Sequence, residues 1–362
     1  MATRRASWEY RDRHHDDFAR TYFRSFGDGV VSSVGMGTYL GDATDAVDEA
    51  YLAALRTGLE AGSNVLDTAI NYRCQRSERV VGEALREAAV DRDEVLVATK
   101  GGFLPFDGSR PANPRAALRA EYVESGPVDP ADLARDQHCI APGFIDDQLD
   151  RSLSNLGLDT IDLYYVHNPE TQLEIRSREA VYDQLEATFT RLEERAAAGD
   201  IRHYGVATWK AFRVPQSADA HLGLPEVIER ARAAAEAAGN VATHLRAIQL
   251  PFNVRMADAF TVRAHEGADG PQSALWFAND ADLAVFTSAS LMQGALAGGL
   301  PSAVAERLDG ETAAQRAINF ARSAPGVTCA LVGSRSSSHA AENVAAGRYE
   351  PLGAGAFDAV FE

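Results

Sequence analysis

NVLDTAINYRCQRSERVVGEALREAAVDRDEVLVATK, residues 64–100, holds two short apolar runs, NVLDTA (64–69) and VLVATK (95–100). They flank SERVVGEALREAA, whose apolar positions recur at helical spacing. A strand, a helix and a second strand in that order form a βαβ unit, whose two strands run parallel. Both runs are continuously apolar rather than alternating, as suits strands covered on both faces. Asp67 falls near the end of the first run, Lys100 closes the second, and Tyr72 follows in the loop DTAINYR.

The same unit repeats outward in both directions. VSSVGMG (31–37) precedes the helical DAVDEAYLAALRTGLEAG. Downstream, helical segments at 144–156, 180–198, 225–238, near 272–280, 311–323 and 338–347 alternate with IDLYYVH (161–167), IRHYGVAT (201–208), RAIQLPFN (246–253), AVFTSA (284–289) and TCALVG (328–333). Glycines in LEAGSN and AAAGD stand where a left-handed cap would return the chain to the next strand. Eight such units predict an α/β fold, a (β/α)8 TIM barrel, over 1–362 as one domain. Residues 1–20 read as an N-terminal extension and 349–362 as a C-terminal tail. A doubly wound sheet is the competing architecture, but GMGTYLG after the first run fits the dinucleotide fingerprint only loosely. Residues 101–143 break the rhythm with several Pro and Gly and no sustained apolar period. They form a long inserted loop after strand 3, which leaves the C-terminal face and is expected to cover the site. An oligomer contact or a surface loop is the plainer alternative.

With 362 residues, 46% of them hydrophobic, the chain can bury a large core. No stretch approaches the roughly 20 apolar residues that span a bilayer. The charged start MATRRASWEYRDRHHDDFAR lacks an apolar signal region, so neither a membrane nor a leader is expected, and the expected location is cytoplasmic. Three cysteines, Cys74, Cys139 and Cys329, are unpatterned and suit a reducing compartment, and no metal-ligand spacing joins them. A net charge of −17 argues against nucleic acid as a partner. Only Lys100 and Lys210 among the 35 basic residues are lysines, which makes a lysine at a strand end more suggestive. The plainer alternative is that a high-GC genome prefers Arg codons and that the acidic surface serves solubility or a saline cytoplasm.

Asp67, Tyr72, Lys100 and His167, the last closing IDLYYVH, lie at or just past the ends of three consecutive strands. In a parallel barrel those ends share the face where chemistry is done. A phenol near its reference pKa of about 10 is a poor acid or base at neutral pH, and an adjacent ammonium lowers it. Lys100 is expected to be that ammonium, with Asp67 holding it, while His167 donates a hydrogen bond to a substrate carbonyl. A proton donor and an orienting donor make half of a reduction; the hydride requires a nicotinamide cofactor. Singly, each residue has a plain reading: a turn cap, a packing tyrosine, a surface lysine, a core histidine. Their joint placement favours chemistry.

In order along the chain, DTAINYRCQRSERVVGEAL, VLVATK, IDLYYVH, IRHYGVATW and LVGSRSSSHAAEN resemble the motifs of the aldo-keto reductase superfamily, from about residue 22 to about 348. The resemblance implies a (β/α)8 barrel and NADPH-dependent reduction of aldehydes or ketones. It makes Tyr72 the general acid/base, Lys100 and Asp67 its tuning pair, and His167 the carbonyl-orienting residue. It also implies that NADP(H) is bound, with NAD(H) left open. Gly37, Thr38 and Tyr39 would lie beside the nicotinamide, Gln249 on its carboxamide, and Leu291 and Gly294 against the pyrophosphate. Gly333, Ser334, Arg335, Glu342 and Asn343 would lie at the adenosine end, with Arg335 on a 2′-phosphate. Thr208 and Ser288 would also lie at the cofactor, although the chain departs from the family there: Ala207 and Thr208 stand where many members have Ser-Asn, and Ser288 where many stack an aromatic ring. Phe286, two residues away on the same strand face, and Trp209 are candidates to fill that gap. Asn168 would bond either substrate or loop, and Cys74 is either a redox reporter or an inert loop thiol.

The expected activity is reduction of an aldehyde, ketone or sugar-like carbonyl. Oxidation of an alcohol by the same residues, or a cofactor-binding regulatory subunit with little turnover, are the alternatives. The substrate, a small carbonyl or alcohol, and the oligomeric state are not specified by the sequence.

Overall fold

The computed structural model describes residues 1–361; the last residue of the tail 349–362 lies outside them. Eight strands close into a parallel barrel: β1 (Val34–Gly37), β2 (Val65–Asp67), β3 (Leu96–Gly101), β4 (Ile161–His167), β5 (Ile201–Ala207), β6 (Leu245–Pro251), β7 (Ala284–Ser288) and β8 (Val327–Gly333). Each pairs with its neighbours in sequence, and β8 pairs with β1 to close the ring. This is a (β/α)8 TIM barrel. The helices between strands end as their sequences dictate. Pro142–Leu156 and Arg178–Ala198 stop at Gly157 and Gly199, both left-handed (φ 64° and 90°). Ala313–Ser323 starts with a capping box between Thr312 and Gln315.

Strand parity sorts the core into two layers. Val65, Leu96, Ala98, Leu163, Tyr165, Ala207, Ala247, Phe286, Cys329 and Leu331 form one buried cluster inside the barrel. The alternate residues, such as Leu66, Val97, Val166, Ile248 and Val285, pack outward under the helices. Gly35 has no room for a side chain, because a Cβ there would sit 2.8 Å from the Cys329 sulfur and 2.9 Å from Leu331. Continuing the inward parity to the strand tops gives Gly37, Asp67, Lys100, His167, Ala207, Gln249, Ser288 and Gly333. The barrel thus fixes which side chains can meet.

The edges of the barrel correct one expectation and add detail to others. The first run was expected to be a strand over 31–37, but Val31 and Ser32 belong to a hairpin, Phe23–Phe26 with Gly29–Ser32, that plugs the barrel floor. The chain turns there because the Ser32 hydroxyl donates to the Val34 carbonyl and the Asn64 side chain accepts from Ser32 N–H. The 1–20 extension contains a helix, Arg4–His14, seated by the Tyr10 hydroxyl on the Leu59 carbonyl (2.5 Å) and by Arg13 on Glu94. Before the helix Ala274–Asp280 lies a second hairpin, Arg263–Gly267 with Gly270–Ser273. The 101–143 segment forms a small core, in which Leu104, Leu118 and Tyr122 pack with Phe144 of the helix that follows. Among the described residues no helix is long and apolar enough to cross a membrane.

Candidate active site

At the C-terminal mouth, inward parity delivers Lys100 into full burial beside Asp67. Its Nζ donates to Asp67 Oδ2 and to the Thr68 carbonyl, both at 2.7 Å. The other carboxylate oxygen, Oδ1, accepts from Gln249 Nε2 at 2.7 Å. Burial lowers the Lys100 pKa, and the Asp67 charge opposes that shift. Tyr72 stands over this pair, with Lys100 Nζ 5.0 Å from its ring centroid. Its ring meets Tyr39 at 4.9 Å and His167 at 6.1 Å.

The loop carrying Tyr72 is fastened on both sides. Tyr72 N–H donates to the Ala69 carbonyl, and Arg73, Cys74 and Gln75 then run through three consecutive positive φ angles, a conformation that costs energy for side-chain-bearing residues. The buried Arg73 guanidinium offsets that cost. It pairs with Asp48 and donates to the carbonyls of Asp42 and Thr44, tying the loop to the one after β1. Burial raises the pKa of the half-buried Cys74 thiol, in keeping with an inert loop cysteine.

One electrostatic expectation is overturned. Lys100 was expected to depress the Tyr72 pKa, yet the phenol is raised well above its ordinary value, by burial first and then by Asp67 and Tyr39. The ammonium is committed to Asp67 and Thr68, so the pair presents no net positive charge to the phenol. His167 is pushed well below its ordinary pKa by burial and by Lys100, so its ring is neutral. Its Nδ1 is buried without a partner. Nε2 is therefore the nitrogen left to act toward the cleft.

Tyr72, Asp67 and His167 line a cleft of about 1310 Å³, with Lys100 buried beneath it. That is larger than the ~300–1,000 Å³ usual for one small ligand. Every residue expected at a cofactor lines the same cleft: Gly37, Thr38, Thr208, Gln249, Ser288 and Leu291, then Gly294, Gly333, Ser334, Arg335, Glu342 and Asn343. Gln249 differs in detail, because its amide N–H is engaged by Asp67. Phe286 does not fill the gap above Ser288. It is buried in the layer below, edge-on to Phe26 and Tyr165. Trp209, 45% exposed, does line the cleft. Its loop is held by the buried Glu170, whose Oε1 accepts from the N–H groups of Trp209 and Lys210 at 2.8 Å each. Asn168 also lines the cleft, in a left-handed conformation (φ 49°).

Asn71, Phe103 and Gln137 line the mouth beside the tetrad and were not singled out from sequence. For Asn71 and Phe103 a signal existed, since Asn71 immediately precedes Tyr72 and Phe103 follows the end of β3. Among the described residues no group of three His, Cys, Asp or Glu side chains could hold a metal ion.

The aldo/keto reductase family model matches residues 33–232, and the chain belongs to that family. An aldo-keto reductase of Bacillus subtilis (strain 168) is 30% identical over 182 residues, 49% of this chain and 44% of that protein. A D-threo-aldose 1-dehydrogenase from Pseudomonas sp. is 33% identical over 161 residues, 44% of each. The chain thus spans about half the length of the curated relatives it matches. Among solved structures, an aldo/keto reductase from Klebsiella pneumoniae in complex with NADP and acetate shares the fold with a TM-score of 0.61, at 20% identity over 94% of both chains. The glycerol dehydrogenase of Gluconobacter oxydans does so at 0.65, with 19% identity over 95% of each.

Proposed function

We propose that the protein is an NADPH-dependent reductase of an uncharged aldehyde, ketone or sugar-like carbonyl, with Tyr72 as proton donor. The observation that carries this reading is the buried Asp67–Lys100 pair beneath Tyr72, with His167 beside it on the same cleft. NADP(H), when bound, supplies the hydride. Tyr72 holds its proton at the phenol oxygen because burial keeps the pKa high. His167, neutral and with Nδ1 enclosed, presents Nε2 to the cleft, where a proton on that nitrogen can be donated to a carbonyl oxygen. Asp67 and Lys100 hold each other and give the tyrosine a fixed floor.

The remaining residues suit the cofactor. Thr208 Oγ1 and Ser290 Oγ are buried on the cleft without partners, a costly state that a polar ligand relieves. At the far end Arg335 is exposed and makes no ion pair among the described residues, next to the N-terminus of the helix Ser337–Ala345. Positive charge and free N–H groups there favour a phosphate. Replacing Arg335 with Ala is expected to weaken NADPH about 10-fold and leave NADH unchanged, the scale of one charge-assisted hydrogen bond. Fluorescence titration of both cofactors checks it; equal weakening of the two would remove Arg335 from the 2′-phosphate.

The mouth beside the tetrad is built from Tyr39, Asn71, Phe103, Gln137, Asn168 and Trp209. Amides and aromatic faces with no charged side chain favour a neutral, hydroxyl-bearing carbonyl over a keto acid. NADPH consumption across matched neutral and anionic carbonyls tests this, and a preference for the anionic set would refute it. Consumption with neither set would refute the reductase reading itself.

A further inference from the structure

His138 is a fully buried histidine that the chemistry above does not use. It returns from the 101–143 insertion because the two ends of that segment pair. Leu104 N–H donates to the Gln137 carbonyl and Cys139 N–H to the Gly102 carbonyl, both at 2.9 Å. Gln148 clamps the start of the insertion, accepting from Gly102 N–H and donating to the Phe103 carbonyl at 2.7 Å each. The outcome is that His138 Nε2 lies 2.8 Å from the backbone carbonyl of His167. Phe103 stands edge-on to both rings, at 4.8 Å from His138 and 5.1 Å from His167.

The partners fix which nitrogen of His138 carries the proton. Gln172 Nε2 lies 3.0 Å from the His138 carbonyl and 3.0 Å from His138 Nδ1. A carbonyl can only accept, so the Gln172 group facing it is the NH2 and the amide cannot be reversed. His138 Nδ1 must then accept as well, which leaves the proton on Nε2 for the His167 carbonyl. Burial, which pushes His138 down to about 4, keeps this neutral form in place. Gly102 leaves the space for it. With φ at 145°, a Cβ there would lie 2.7 Å from the His167 oxygen.

We propose that His138, oriented by Gln172, is a positioning residue that sets the placement of His167 at the mouth by holding its carbonyl, a role that rests on the reductase reading above. The sheet holds one side of the peptide that follows His167, with Asn168 N–H donating to the Ala207 carbonyl at 2.6 Å, and His138 holds the other side through the His167 carbonyl. The chain then leaves the sheet at the left-handed Asn168. The side chain of His167 hangs from a peptide that His138 grips, and a ring that must meet a carbonyl oxygen tolerates little displacement.

The test uses the full-length protein with His138→Phe and His138→Gln, the latter retaining a donor near the Nε2 position. Phe is expected to lower kcat with an aldehyde about 10–100-fold, the scale of a displacement of about 1 Å, with NADPH affinity unchanged; Gln is expected to recover most of it. Independently of turnover, the NMR ring resonances of His167 are expected to hold one sharp position in wild type and Gln variant, and to shift or broaden in the Phe variant as the ring moves. A Phe variant that keeps wild-type kcat and His167 resonances and only melts earlier would overturn the proposal. So would a loss of kcat that Gln does not rescue while the His167 resonances stay fixed. If the wild type consumes no NADPH with any carbonyl, the reductase reading fails and the His167 resonances alone decide the positioning role.

Discussion

Replacing Tyr72 with Phe is expected to lower kcat for carbonyl reduction by about 10²–10⁴-fold, the usual contribution of a positioned general acid, while NADPH binding stays close to wild type. The variant keeps the aromatic ring that packs against Tyr39 and covers Lys100, so the site is not emptied and only the proton is removed. The pH profile carries the same reading. Reduction needs the protonated phenol, and burial, Asp67 and Tyr39 raise its pKa. The protonated form prevails below that raised pKa and is lost only as pH climbs through it. Hence kcat/KM for reduction, which reports the free enzyme, is expected to stay level from neutral pH to about 9, short of the ordinary tyrosine value near 10. Steady-state rates of NADPH loss measure both. A Phe variant with wild-type turnover, or a wild-type rate that falls between pH 6 and 8, would remove Tyr72 from the role.

The strand ends were legible because burial on both faces writes continuous apolar runs, and the charged or polar residue that closes each run marks the mouth. Asp67, Lys100 and His167 each stand there, and a period of two then turns all three inward. What stayed hidden depends on pairings between distant loops. Gln249 reaches Asp67 across 182 residues of sequence, and His138 meets Gln172 only because two insertion ends form a bridge. The direction of the Tyr72 pKa stayed hidden for a related reason: the sequence pairs Lys100 with Asp67 but does not show how deeply the phenol is buried, and burial is the first cause of its raised pKa. The floor hairpin did carry a signal. Gly27-Asp28 between Phe23–Phe26 and Gly29–Ser32 is a two-residue turn pattern, but its strands are so short that VVSSVGMG reads as one run. For the cofactor end, the order of motifs pointed to Gly333, Ser334 and Arg335, which line the cleft, whereas the fate of the Ser288 gap needed the packing of Phe286 below.

Replacing Lys100 with Met is expected to abolish turnover and to destabilise the fold by about 3–5 kcal/mol, the cost of stranding one member of a buried ion pair. Lys100 is fully buried, and removing it leaves Asp67, itself only 5% exposed, with Gln249 as its remaining side-chain donor. For a chain of this length the loss corresponds to a Tm about 4–7 °C lower. Activity alone would not separate a catalytic role from a broken core, so the pair must be removed together. Lys100→Met with Asp67→Asn eliminates the unpaired charge and keeps a group that Gln249 can bond. The double variant is therefore expected to regain most of the lost Tm while remaining inactive, because Tyr72 has lost the charged floor that holds it. Thermal unfolding and NADPH consumption on the two single variants and the double variant complete the cycle. Strictly additive losses in Tm would show that Asp67 and Lys100 are not coupled. Turnover recovered along with stability would show that the pair serves folding alone, leaving Tyr72 and His167 to act without it.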